Sequence, residues 1–389
     1  MGVGGLMSSG VWRGLDKRSR TRLLLDFDQE PNIKKYNKLR LDKQEVLGQA
    51  RSLIKIEKFF DYVVSSDKPA YKFRKKTGIN FSETRVGKEL RKVYPLHFLF
   101  GTRHVYSEKP AVFLQACWQA NKLYNFEIRK PVRDPYSIDV AYAEAMNFIV
   151  EAIRFGAKEN WFKREVANRR YRASCNGVTA NTYVAAILNR YARTEVVRLD
   201  VGYIGSGSAQ VSIDLAWSDF NDFLDLFDYH PLFEHMTGYM WSIEQAEGKG
   251  YHMHLVFFFN GSEVCQDIVK AKLIGELWVE RITRGKGEYY NCNMHPERYH
   301  NLGIGTIHRN NAEECMNAIR YAQYIPKGGE FLDRDDQYLR IKNKKGMRTF
   351  GTGQAPTVLN TRAGRPALSA PWLLSFSGEE VKGLPLLFE

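Results

Sequence analysis

Two textures of apolar spacing run along this chain, and they meet near residue 176. Over 43–64 the segment QEVLGQARSLIKIEKFFDYVV places apolar residues three and four apart, the period of a helix with one buried stripe. The stretch 141–172, AYAEAMNFIVEAIRFGAKENWFKREVANRRYR, has the same spacing and predicts a second long helix. Between them lie shorter apolar runs such as PLHFLF. Residues 30–175 therefore read as a mostly helical domain, preceded by a Gly/Ser-rich and basic N-terminus, 1–29, expected to be flexible.

After Asn176 the pattern shortens. SCNGVTANTYVAAILNRYART predicts a loop and then a helix. EVVRLDVGYI (195–204) has the β-branched richness of a strand, and a Gly/Ser-rich turn follows it. DFNDFLDLFDY predicts a helix. GYMWSIEQ and GYHMHLVFFFNG predict two strands joined through AEGKG, a β-hairpin. SEVCQDIVKAKLIGELWVERI predicts a helix with Ser262 as N-cap. The tyrosine-rich TRGKGEYYNCNMHPERYHNLG reads as loop, GIGTIHR as a short strand, and 311–325 as a helix that Pro326 ends or kinks. This order predicts an α+β fold: an antiparallel sheet with flanking helices over 176–350, most simply on one side, behind the helical domain. The tail 351–389 is rich in Pro, Gly and Thr and is expected to be poorly ordered.

The second hairpin strand changes the picture from fold to chemistry. Residues two apart on a strand share a face, so His252 and His254 point one way. Tyr251, Met253, Leu255, Phe257 and Phe259 point the other way as an apolar anchor. If Glu244 pairs with His252 across the hairpin, its carboxylate joins the two imidazoles. Two imidazoles and a carboxylate suit one divalent ion and leave positions open for a phosphate oxygen. An H-x-H on a strand also fits two half-buried core histidines.

Further on, Tyr324 and Lys327 form Y-x-x-K at the end of the helix 311–325. A lysine one turn from a tyrosine can stabilise a phenolate, which a side chain with a reference pKa near 10 needs if it is to act as a nucleophile. With 21 tyrosines in the chain such a motif arises easily, and Tyr321 lies one turn earlier. Composition then narrows the partners. Lys and Arg number 57 against 44 Asp and Glu, a net charge of +13 and a pI near 9.3. That surplus favours polyanions. Arg340, Lys342, Lys344, Lys345 and Arg348 form a basic run after the tyrosine helix, suited either to solvent or to a DNA backbone. The five cysteines are dispersed, without a C-x-x-C pair, and fit a reducing cytoplasm. No apolar span or signal-peptide pattern predicts a membrane role, and no Walker A loop predicts an ATPase.

H-x-H on a central strand followed by Y-x-x-K on a later helix resembles the HUH endonuclease superfamily. The likeness is closest to the replication initiators of the inovirus gene-2-product type, through NRYARTEVVRLDVGY, GYMWSIEQ, KGYHMHLVFFFNG, GELWVERITRGKG, YYNCN, YIPK, DDQYLRIK and RTFGTG. It covers residues ~178 to ~354 of the chain. The resemblance implies Mg2+ or Mn2+ held by His252, His254 and Glu244. It implies Tyr324 as the nucleophile toward single-stranded DNA at an origin, assisted by Lys327, with Tyr321 as the alternative or second tyrosine. A host helicase and polymerase would be further partners. A non-catalytic DNA-binding regulator on the same fold, a transposase or relaxase, and a phosphoesterase unrelated to DNA are the competing readings.

Overall fold

The computed structural model describes residues 48–73, 81–124, 140–205, 211–246, 249–298, 303–327 and 338–356. The predicted N-terminus 1–29, residues 30–47, most of the Gly/Ser-rich turn after 204 and the tail beyond 356 lie outside them. The described chain falls into two compact units. One comprises Ser52–Val166 and Arg340–Lys345; the other comprises Gly48–Arg51, Ala167–Leu339 and the described residues from Gly346. The division lies at Val166/Ala167, within a continuous helix, not at 175/176.

The first unit is helical with two short ribbons. Its helices are α1 (Gln49–Val64, whose first turn counts with the second unit), α2 (Arg85–Val93), α3 (Glu108–Tyr124) and α4 (Val140–Lys158). Strands β1 (Tyr71–Phe73) and β2 (Phe81–Glu83) pair with each other, and β3 (Val105–Tyr106) pairs with β9 (Ile341–Lys342). That last pairing, with the buried ion pair of Arg340 and Glu57, explains why Arg340–Lys345 belongs to this unit.

The predicted helix 141–172 is two helices. It breaks at Glu159, and α5 then runs from Asn160 to Arg190 straight through the predicted loop at Asn176. Polar Asn176 and helix-disfavouring Gly177 suggested a break worth about 1 kcal/mol. The buried stripe Gly177, Ala180, Asn181, Val184, Ile187 and Leu188 outweighs it, and the Thr179 and Thr182 hydroxyls donate back to the carbonyls of Cys175 and Val178.

The second unit is built on a six-stranded antiparallel sheet. Its long strands are β4 (Arg193–Tyr203), β5 (Met236–Ala246) and β6 (Gly250–Asn260). The order is β10-β5-β6-β4-β7, with β7 (Gly287–Asn291), β8 (Gly305–His308) and β10 (Phe350–Thr352) short; β8 also pairs with β4. The strand β7 occupies a segment expected to be loop. Its tyrosines suit a pleated surface, and pairing with Leu199–Tyr203 of β4 decides the conformation. Helix α6 spans Ile213–Asp225 with Ser212 as its N-cap. Helix α7 spans only Asp267–Leu277, followed by a π-helical turn at Trp278–Ile282. Ser262 is therefore no N-cap: its amide bonds the Asn260 side chain in a turn before the helix. Helix α8 spans Ala312–Tyr324.

Helices cover both faces of the sheet, not one. On one face α5 and α8 pack Tyr183, Val184, Ile187, Cys315, Ala318 and Ile319 against Val196, Met240, Val256 and Phe258. On the other, Phe220 and Phe223 of α6, with Phe227, Phe233 and Trp278, meet Tyr203, Trp241 and Phe257. Every β6 residue but Asn260 is buried. Phe257, Phe258 and Phe259 are each at most 1% exposed, and each such burial contributes roughly 2–3 kcal/mol before entropy costs. A one-residue slip would turn His252 and His254 to the opposite face, so this packing also fixes where the histidines point.

Candidate functional site

The even-numbered residues of the sheet build the site. Glu244 of β5 stands opposite His252 of β6, and Asp200 of β4 stands opposite His254. Cross-strand partners share a face, so all four side chains project toward α8. The pairing of Glu244 with His252 is the one expected from the hairpin. Glu244, His252 and His254 are 3%, 5% and 3% exposed, and one ligand atom from each lies within 4.8 Å of the others.

Hydrogen bonds select the ring nitrogen each histidine offers. His254 Nδ1 lies 2.7 Å from Asp200 Oδ1, and His252 Nδ1 lies 3.3 Å from the Gly250 carbonyl oxygen. Carboxylate and carbonyl oxygens only accept, so Nδ1 carries a proton in both rings, and His254, whose Nε2 also meets a carboxylate oxygen, carries a second one there. Both Nε2 atoms then face Glu244 Oε2, at 3.2 Å for His254 and 3.7 Å for His252. Three ligand atoms thus converge with the outer nitrogen of one ring fixed by a carboxylate, the arrangement metal-binding imidazoles use. The donor set fits a divalent cation.

Burial and charge shape the protonation of these groups. Burial favours neutral His254, but the Asp200 and Glu244 carboxylates outweigh it and push the group up to about 9. Burial, then the charge of His254, pulls His252 down to about 4. Both carboxylates resist burial: the His254 charge leads the groups that hold Glu244 below its usual range and Asp200 well below it.

The tyrosine helix closes over this cluster. Tyr324 is the last residue of α8, and its ring centroid lies 5.9 Å from that of His254. Lys327 does not sit on the next helical turn. Pro326 ends the helix, and Lys327 takes a left-handed conformation at φ 53°, with its amide donating to the Tyr324 carbonyl at 3.1 Å. Such a backbone costs a lysine on the order of 1 kcal/mol. It folds the side chain back, so that Nζ lies 3.5 Å from the Tyr324 ring centroid and 3.4 Å from Glu244 Oε1. Lysine and tyrosine therefore meet as Y-x-x-K predicted, by a different geometry. Burial opposes a Tyr324 phenolate, but Lys327, then His254 and Arg198, outweigh it and lower the phenol below its ordinary value. Tyr321 stacks on Tyr324 with centroids 6.5 Å apart and rings inclined by 28°.

Arg198 is a site residue that the sequence reading missed. It is 4% exposed, and its guanidinium carbon lies 4.7 Å from the Tyr321 centroid and 5.1 Å from that of Tyr324. Its Nε is 3.5 Å from Asp200 Oδ1. It thereby bridges the tyrosines to the carboxylate that orients His254. The signal was two polar residues, Arg198 and Asp200, at alternate positions of an otherwise apolar strand. Asp200, the second of these polar residues, stands beside the ligand cluster.

The basic run is not a uniform DNA-facing surface. Arg340 is 2% exposed and its charge is neutralised by Glu57 in the first unit, so it is not an open phosphate contact. Lys342 is half-buried in β9, whereas Lys344, Lys345 and Arg348 are exposed. Comparison with family models, with curated proteins and with solved structures returns no match.

Proposed function

We propose that this protein nicks and rejoins single-stranded DNA through a 5′-phosphotyrosine bond, as an HUH-type, inovirus-like initiator of rolling-circle replication for a phage or integrated element. The observation that carries this reading is the meeting of Glu244, His252 and His254 with Tyr324 and Lys327 on one face of the sheet. A bound Mg2+ or Mn2+ would supply Lewis acidity toward a phosphate oxygen. Lys327 and Arg198 favour the phenolate of Tyr324, whose proton passes to solvent. The phenolate oxygen forms a bond to the scissile phosphorus, and the bond from phosphorus to the 3′-oxygen breaks. That oxygen takes up a proton and leaves as a free 3′-OH. The reverse attack by a 3′-OH restores the phosphodiester without an added energy source. A phosphoesterase releasing free product would have no use for a half-buried tyrosine held against a lysine beside the ligand cluster.

The test is incubation with Mn2+ and a library of single-stranded oligonucleotides, followed by a search for a denaturant-stable protein–DNA adduct. The adduct is expected in the wild type, at wild-type level in Tyr321→Phe, and absent in Tyr324→Phe and after metal chelation. Adduct persisting in Tyr324→Phe moves the nucleophile to Tyr321. DNA binding without any adduct identifies a regulator instead.

A further inference from the structure

We infer that Tyr290, His295 and Arg298 form a stacking subsite for a single unpaired nucleobase beside the scissile phosphate. This rests on the DNA reading above and adds to it the part of the molecule that grips the strand. Tyr290 belongs to β7 and stands opposite Asp200, which in turn stands opposite His254. The three side chains therefore form a row on one face, from the ligand cluster toward the edge of the sheet. Each strand step is about 5 Å, which puts Tyr290 on the order of 10 Å from His254, within the reach of a neighbouring nucleotide. The strand β7 ends the sheet order on this side, and the row runs out toward the sheet edge.

The ring geometry is that of a base-stacking platform. One side of Tyr290 packs on the buried cluster beneath α5 and α8. The His295 ring stacks on Tyr290 with centroids 5.7 Å apart and planes inclined by only 15°. Arg298 donates from Nη1 to the Tyr290 hydroxyl at 2.9 Å, with its guanidinium carbon 5.7 Å from the ring centroid. His295 Nδ1 lies 3.3 Å from Glu297 Oε1, which steadies the ring, and the His295 side chain keeps 40% exposure. A core stack would be covered. This one is anchored below and open above, with a cation at its edge, as unpaired bases require.

The experiment pairs a protein change with a DNA change. A single-stranded oligonucleotide bound by the wild type is taken from the library, and each base in turn is replaced by an abasic position. Affinity is read by fluorescence anisotropy for the wild type, His295→Ala and His295→Phe. One abasic position is expected to weaken the wild type about ten-fold. That position has no further effect in His295→Ala, which already binds intact DNA about ten-fold more weakly. His295→Phe, which keeps a stacking ring, restores both affinity and sensitivity to that position. Manganese affinity is unchanged in both variants. Equal abasic profiles in wild type and His295→Ala, or failure of the wild type to bind single strands, overturns the subsite. An adduct without this coupling keeps the proposed reaction and loses the subsite. Coupling without an adduct does the reverse.

Discussion

His252 and His254 sit two residues apart on one strand, yet their surroundings send their protonation in opposite directions. His252, held near 4, is neutral across the physiological range. His254, held near 9 by Asp200 and Glu244, carries a proton on Nε2 that an incoming metal must displace. Its folded value lies above the ordinary one, so the charged form is the favoured state below about pH 9 and metal binding works against it. Manganese affinity is therefore expected to rise about ten-fold per pH unit from 7 toward 9 and then level off, read by calorimetry in buffers of different ionisation enthalpy. Asp200→Asn keeps an acceptor for Nδ1 but removes the charge that raises His254. In that variant the rise levels off at lower pH, and affinity on the plateau falls about ten-fold or more. A flat pH profile in the wild type would place the metal elsewhere.

The tyrosines owe their place to the two ends of α8. Asn311 caps its N-terminus, accepting from the amides of Glu313 and Glu314 at 3.1 and 3.3 Å, with those two acids suited to the helix dipole. Pro326 and the left-handed Lys327 finish the other end. Asn311→Ala is expected to cost about 1 kcal/mol in urea unfolding, with manganese affinity unchanged because the cap lies about 20 Å along the helix from Tyr324. At this scale the sequence was legible where local pattern and packing agree. The run His252–Phe259 announced its strand, its faces and its partner Glu244. It was illegible where a tertiary partner overrides the local signal. β7 exists because β4 accepts it, and α5 continues past Gly177 because its buried stripe outweighs the glycine. The approach of Lys327 to Tyr324 could be counted in residues, but its left-handed route could not.

At the scale of the whole chain, the α+β class was legible from the order of the elements, whereas the cover on both sheet faces was not. The segments of α6 and α7 read as helices, but nothing in their spacing says which side of the sheet they take. The division of the basic run was equally hidden. Arg340 is bound into the first unit by Glu57, 283 residues earlier, and only the fold brings that pair together. Arg198 and Asp200 were visible as polar breaks in an apolar strand, yet their roles follow from the tyrosines above and the histidine beside them. Among the described residues no helix is long and apolar enough to cross a membrane. The net charge of +13 fits a polyanionic partner and selects none. The claim that joins these levels is that the cluster on β5 and β6 and the end of α8 act on one phosphate. Its most direct test is to trap the manganese-dependent DNA adduct, trim it with nuclease and map the modified peptide by mass spectrometry. A 5′-nucleotide on Tyr324 is expected; a nucleotide on any residue other than Tyr324 or its stacked neighbour Tyr321 would contradict that claim.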